Sequence, residues 1–244
     1  MFKDETWLIT GAAGALGSAL ATALAAGGAK TILLDRERRR LDLLADRIES
    51  AHGVAPFLMP MDLLGAKIEE YQILKDSIES NLSKLNGIIH CAATQRGLVP
   101  HEQISPAEWQ AGWQLHLHAP YWLSRTLLPL LTGGWLVFPL ESLATMAGAY
   151  RGVYGIGQWA LHALVRQIAA EWRGHGVRVI GIETGPFYSP LYSAVRPADP
   201  PATLPAAAAV AGAVLGELGT PLDPATVIRT LPGVSGDAGE HNPR

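Results

Sequence analysis

The stretch Trp7-Leu-Ile-Thr-Gly-Ala-Ala-Gly-Ala-Leu-Gly17 runs into a charge-free segment that lasts to Ala29, and Thr31-Ile-Leu-Leu-Asp35 follows it. A short apolar run ends in glycine, a small-residue helical pattern continues to about Ala26, and a second apolar run ends on an acid. That order reads as strand, tight turn, helix, strand. Gly11, Gly14 and Gly17 fall in and just after the turn. Glycine there lets the backbone bend sharply and approach a pyrophosphate, whose charge is met by free N–H groups and the positive end of the helix dipole. The alternative, glycines that serve only helix–sheet packing, is weakened by Asp35. Eighteen positions beyond Gly17, at a strand end, its carboxylate can accept hydrogen bonds from adenosine ribose hydroxyls and repels a 2′-phosphate. NAD(H) is therefore expected over NADP(H), although Arg36 can receive that phosphate if Asp35 turns away. Asp62, past the next strand, either bonds the adenine amino group or is a plain helix N-cap.

Working outward, strands and helices alternate. Arg38 to Ser50 is an amphipathic helix with apolar residues at Leu41, Leu44, Ala45 and Ile48. Phe57-Leu-Met is a third strand, Ile68 to Leu82 a helix, and Gly87-Ile-Ile-His90 a fourth strand. Glu108 to Leu131 reads as one long helix, Trp135-Leu-Val-Phe138 as a fifth strand, Tyr154 to Arg173 as a helix and Val177 to Ile182 as a sixth strand. The spacing predicts an α/β chain with a doubly wound parallel sheet, a three-layer α/β/α Rossmann fold in one domain over 1–244. Beyond Gly185, prolines at 186, 190, 197, 200, 201 and 205 predict an irregular substrate-covering loop before a helix at about Ala206 to Leu218, so that 186–218 forms a substrate loop and helix. Residues 233–244 read as a disordered tail.

Composition narrows the function classes. Of 244 residues, 48% are hydrophobic, and the formal charge of −3 offers no basic surface for nucleic acid or anionic lipid. The one basic run, Arg36 to Arg40, is interrupted by Glu37 and reads as a solvated helix start. One cysteine, Cys91, excludes an internal disulfide and a cysteine-based zinc site. The charge-free segment before Lys30 is mostly Ala, Gly and Thr, with Asp4 and Glu5 where a leader would be positive. The expectation is a soluble, cytoplasmic chain without metal, nucleic-acid or membrane partners.

These features resemble the short-chain dehydrogenase/reductase family from Trp7 to about Leu191. Residues 10–17 are similar to its TGxxxGxG cofactor loop, with Ala15 where a glycine is usual and Leu16 beside it. Asp62-Leu63 is similar to the family's adenine-contacting pair, and His90-Cys-Ala-Ala93 takes the place of its NNAG segment, so Ala92 and Ala93 are implied to border the cofactor. His116 stands where the family has a catalytic Asn. Pro186, Phe187 and Ser189 fall where it contacts the nicotinamide carboxamide. The family's YxxxK is here Tyr154-Gly-Ile-Gly-Gln158, and its Ser-Ser pair is Glu141-Ser142, twelve positions before the tyrosine. Tyr150 is a rival tyrosine without a lysine either.

The resemblance implies that Tyr154 moves the proton to or from the substrate oxygen while Ser142 polarises that oxygen. Gln158, one helical turn from Tyr154, can hydrogen-bond the nicotinamide ribose but supplies no charge. His116 either relays protons, acts as a cation, or merely faces polar neighbours. His116 and His118 point to different helix faces and make no metal pair. The large tryptophans Trp109, Trp113, Trp122, Trp159 and Trp172 lie on the two long helices, and the resemblance implies a homodimer or homotetramer through them. Two readings follow: an NAD(H)-dependent oxidoreductase on an alcohol/carbonyl pair, and an inactive dinucleotide-binding relative that acts as sensor or assembly partner. Tyr188, Leu191 and Tyr192 suggest an apolar or aromatic substrate lining.

Overall fold

Residues 2–82, 84–223 and 226–232 are described by the computed structural model. Strands β1 (Thr6–Thr10), β2 (Lys30–Asp35), β3 (Phe57–Pro60), β4 (Gly87–His90), β5 (Trp135–Leu140), β6 (Arg178–Glu183) and β7 (Ile228–Thr230) form one sheet in the order β3-β2-β1-β4-β5-β6-β7. Every pairing is parallel. The helices are α1 (Ala15–Ala26), α2 (Arg38–His52), α3 (Ile68–Leu82), α4 (Pro106–Trp113), α5 (Ala119–Leu127), α6 (Leu143–Met146), α7 (Gly152–Glu171), α8 (Pro190–Val195) and α9 (Ala207–Glu217).

The central strands β1, β2, β4, β5 and β6 are buried on both faces along most of their length, which is why they read as unbroken apolar runs rather than alternating ones, while the edge strands β3 and β7 are half-buried to exposed. Trp7 and Ile9 enter a core with α1, α2 and α9, while Leu8 between them enters a second core with α3, α5 and α7. The same alternation divides Val137 from Leu136 and Phe138 on β5. The chain order reverses at β1 and β4, so a crevice opens at their carboxyl ends, the place where such sheets take ligands.

Three expectations change, and one strand was not anticipated. The helix over 108–131 is not uniform: α4 passes into a π-helical segment, Gln114–His118, before α5 and a 3-10 turn at Leu128–Leu130. Pro120 has no N–H to give the His116 carbonyl, and Ala119 N–H reaches back to Gln114 O, so the ladder widens there. Asp62 caps no helix, because α3 begins at Ile68; its Oδ1 accepts the Leu64 N–H at 3.1 Å in a local turn. Pro190 starts a helix instead of breaking structure, as the first residue of α8, with the Ser189 hydroxyl accepting the Tyr192 N–H at 3.0 Å. Strand β7 was not legible as a strand; Arg229 within it is held by Glu217 at 2.9 Å. The tail at 233–244 lies outside the described residues. Among those residues, no helix is long and apolar enough to cross a membrane, and no group of three or more His, Cys, Asp or Glu side chains could hold a metal ion.

Candidate active site

The crevice is a cavity of about 500 Å³ at the carboxyl ends of β1, β4, β5 and β6. Its floor is the glycine turn. Gly11 sits at φ +59°, and a Cβ there would meet Ala92 Cα at 2.7 Å, so this turn and the end of β4 approach as closely as backbones can. Gly17 is equally constrained: a Cβ would lie 2.3 Å from the Gly11 carbonyl oxygen. Gly14 is the N-cap of α1 and brings no side-chain cap, which leaves the first-turn N–H groups of α1 to face an incoming anion. Gly14, Ala15, Leu16 and Gly17 all line the cavity.

Ala92 and Ala93 form the wall beyond β4, and Ala92 N–H donates to Thr10 Oγ1 at 3.2 Å. His90, at the strand end, bonds Ser124 Oγ at 2.9 Å and stacks on Phe138, 4.6 Å between ring centres. Burial lowers its pKa to about 3, so it is a neutral tie between sheet and helix. Burial also pushes the Cys91 thiol up, which favours its protonated form, although the side chain is only half-buried and lines the cavity.

The four side chains expected to carry chemistry meet in this cavity. Tyr154 and Gln158 project from α7, His116 from the π-helical segment, and Ser142 from the turn after β5. Ser142 is the N-cap of α6 yet makes no capping bond with its side chain. His116 packs edge-on against Tyr154, 5.0 Å between centres, and its Nε2 accepts the Thr94 N–H at 3.1 Å. The proton must then reside on Nδ1, a buried donor without a partner among the described residues. Burial lowers the His116 pKa to about 4, so at neutral pH it is not the cation considered from the sequence, and only the relay and neighbour-facing roles remain.

Two residues were missed. Tyr154 Oη donates not to Ser142 but to Glu141 Oε1, at 3.4 Å. The Glu141 N–H donates to Gln158 Oε1 at 3.1 Å, and His162 Nε2 donates to the Glu141 carbonyl at 2.9 Å. Burial, and then the Glu141 charge, hold the Tyr154 phenol well above the ordinary tyrosine range, the reverse of what a lysine at 158 would do. Glu141 itself is raised by burial, against the opposing effects of Tyr154 and Arg151. His162 was within reach of sequence reasoning: 154, 158 and 162 are successive turns on one face of α7.

Pro186, Phe187 and Ser189 line the opposite wall, as do Leu191 and Tyr192, but Tyr188 is 48% exposed and stands outside the lining. Asp35, Arg36, Asp62 and Leu63 are also outside it, at the ends of β2 and β3. Asp35 Oδ2 accepts the Ala13 N–H at 3.1 Å and Oδ1 the Glu37 N–H at 3.2 Å, so the acid is fixed beside the glycine turn. Arg40 joins there, donating to Ala13 O at 2.5 Å. Leu63 is buried in the sheet core.

A parallel sheet with this crevice, glycine turn and tyrosine defines a class, and residues 5–200 match the family model described as short chain dehydrogenase. The chain belongs to that family of oxidoreductases. It is 31% identical over 176 residues to the oxidoreductase YciK of Escherichia coli K12, covering 71% of this chain and 70% of the relative. It is also 26% identical over 175 residues to a D-threitol dehydrogenase of Mycolicibacterium smegmatis, covering 70% and 66%. Among solved structures, a Shigella flexneri 2a chain complexed with NADP superposes with a TM-score of 0.87 at 28% identity, over 94% of this chain and 97% of the other. An Escherichia coli CFT073 chain complexed with NADPH gives 0.84 at 27%, over 94% and 96%.

Proposed function

We propose that this chain is an NAD(H)-dependent oxidoreductase that interconverts an alcohol and a carbonyl. One observation carries the reading: Tyr154, a Ser142 hydroxyl that makes no capping bond and the first-turn N–H groups of α1 open into one cavity. The glycine turn fits a dinucleotide because a Cβ at Gly11 or Gly17 would collide with backbone. The N–H groups after Gly14 would hold the pyrophosphate, Asp35 the adenosine ribose, Gln158 the nicotinamide ribose, and Ala92, Ala93, Pro186, Phe187 and Ser189 would border the nicotinamide. When bound, the nicotinamide supplies or accepts a hydride. Tyr154 transfers the proton and Ser142 polarises the oxygen. The direct test is cofactor-dependent turnover on a carbonyl and alcohol panel, with Tyr154→Phe as the control that loses it.

Asp35 supports NAD(H) over NADP(H), whatever the two structural relatives carry. The expected result is tighter NADH than NADPH binding in calorimetry, by about tenfold or more, from one repelled phosphate charge at the ribose. Asp35→Ala is expected to narrow that gap. Equal affinities in the parent would contradict the role of Asp35.

A second reading, dinucleotide binding without turnover, is favoured by the engagement of Gln158 with the Glu141 N–H and of Tyr154 with Glu141. Both readings include self-association. Trp109 on α4 and Ile156 and Trp159 on α7 are 39%, 36% and 48% exposed, and the two helices pack together through Gly112 and Val153. Large apolar side chains clustered on packed helices mark a contact face. Light scattering is expected to give a dimer or larger at micromolar concentration, and Trp159→Glu a smaller species. A monomeric parent would contradict this.

A further inference from the structure

Glu141 stands where the resemblance leads one to look for a serine, at the end of β5 and immediately before Ser142. Its main chain is held on both sides, the N–H by Gln158 at 3.1 Å and the carbonyl by His162 at 2.9 Å. With the backbone fixed, the side chain enters the cavity and its Oε1 receives the Tyr154 hydroxyl at 3.4 Å. Such bonds are often long in unliganded sites and tighten in the reacting complex. Gln158 has no charge and no titrating proton, so it cannot do for the tyrosine what a lysine does. A carboxyl in contact with the phenol can.

Resting on the oxidoreductase reading, we propose that Glu141 and Tyr154 form a proton-sharing pair in which Glu141 reloads the tyrosine, replacing the absent lysine and favouring carbonyl reduction. In that direction, as the substrate carbon takes its hydride from the reduced nicotinamide, the Tyr154 O–H bond breaks and its proton passes to the carbonyl oxygen. The phenolate then takes the carboxyl proton of Glu141. The carboxylate left behind takes up one proton from bulk solvent through the cavity, which restores the pair and supplies the proton that the net reduction consumes. Alcohol oxidation runs the same transfers backwards: an ionised Glu141 takes the Tyr154 proton and the phenolate takes the alcohol proton, and the raised phenol disfavours the phenolate that this direction needs.

The charged and titratable groups that act on the pair are Arg151 at the start of α7, which lowers both acids, and Glu183 on β6, which raises Glu141. His162 on α7 meets Glu141 through the carbonyl alone, and Arg196 and Tyr192 at α8 face Arg151. His116 packs edge-on against the tyrosine ring. Glu141 is thus a positioning and reloading residue that acts through Tyr154. Because burial raises its carboxyl, the proton it supplies is present below that raised pKa and lost as pH rises through it.

Two measurements test the pair, one of them without turnover. The first is an ultraviolet tyrosinate titration of the parent, Glu141→Gln, Tyr154→Phe and the double variant; differences between proteins with and without Tyr154 isolate its midpoint. That midpoint is expected above the ordinary tyrosine value in the parent, and lower by about one unit or more in Glu141→Gln, since a like charge has been removed. An unchanged midpoint overturns the proposal. The second is the pH dependence of carbonyl reduction. The parent rate is expected to fall as pH rises through the Glu141 carboxyl, whereas Glu141→Gln loses that limb and is slower by about 10- to 100-fold at acidic pH. Glu141→Asp, which keeps a titrating carboxyl, is expected to retain the limb at reduced rate. A Glu141→Gln protein with the parental limb and rate overturns the proposal, as does an Asp variant without the limb. NADH affinity reports whether each variant has folded. Should no protein turn over any substrate while the tyrosinate midpoint moves as expected, the pair stands and the oxidoreductase reading falls.

Discussion

Gln158→Lys is expected to oxidise alcohols faster than the parent at neutral pH, with its pH dependence displaced downward. An unperturbed tyrosine with a pKa of about 10 holds roughly one phenolate per thousand molecules at pH 7, and Tyr154 is shifted further in the unfavourable direction. The residue at 158 is one helical turn away and opens into the same cavity. An ammonium there places a positive charge beside both the phenol and the Glu141 carboxylate, and an opposite charge at that range lowers a pKa by about one to three units. The substitution also removes the acceptor of the Glu141 N–H, which costs about 1–3 kcal/mol if the donor stays buried and unpaired. A modest loss of thermal stability should therefore accompany the gain in rate. A pH–rate series on the parent, Gln158→Lys, Tyr154→Phe and the double variant decides, with the Phe variants dead in both backgrounds. An unchanged pH dependence with cofactor binding intact would assign the proton chemistry to His116 or another group.

Gly17→Ala is expected to weaken dinucleotide binding by about tenfold or more and to destabilise the protein by about 1–3 kcal/mol, the usual cost of forcing a methyl into a closed space. The added carbon would meet the Gly11 carbonyl oxygen at 2.3 Å, the Gly11 carbonyl carbon at 2.9 Å and Ala12 Cα at 3.0 Å. All three are backbone atoms of the turn, so relief requires the turn itself to shift, and with it the N–H groups expected to receive the pyrophosphate. Gly14→Ala is the milder neighbour, since its added carbon would come no nearer than 3.0 Å, at Gly11 O, to any atom of the described residues beyond its chain neighbours. NADH fluorescence titration and thermal unfolding of the two variants check both parts. Parental affinity in Gly17→Ala would mean that the turn does not hold the dinucleotide.

The sheet was legible because its central strands are buried on both faces, and runs such as Ile32 to Leu34 stand out between glycine and charge. The glycine turn and Asp35 were legible for the same reason: both lie at strand ends whose positions the pattern settles. Local hydrogen-bond geometry is not written in such patterns. The π-helical segment depends on one missing N–H at Pro120 within an otherwise helical run, and β7 is three residues whose partner, β6, is distant in sequence. Glu141 could not be read as the partner of Tyr154, because its reach depends on how β5 ends against α7. His162 could have been found from its spacing on α7. Asp62 left two readings open until the start of α3 at Ile68 removed one of them.

The most direct test of the oxidoreductase reading is hydride transfer itself, followed with NADH deuterated at the transferable nicotinamide position and a panel of carbonyl compounds. The products are analysed by mass spectrometry. Deuterium is expected on the carbinol carbon of the product with the parent protein and none with Tyr154→Phe, although both bind NADH. Tight NADH binding without label in any product from the parent would contradict catalysis and leave a dinucleotide-binding protein.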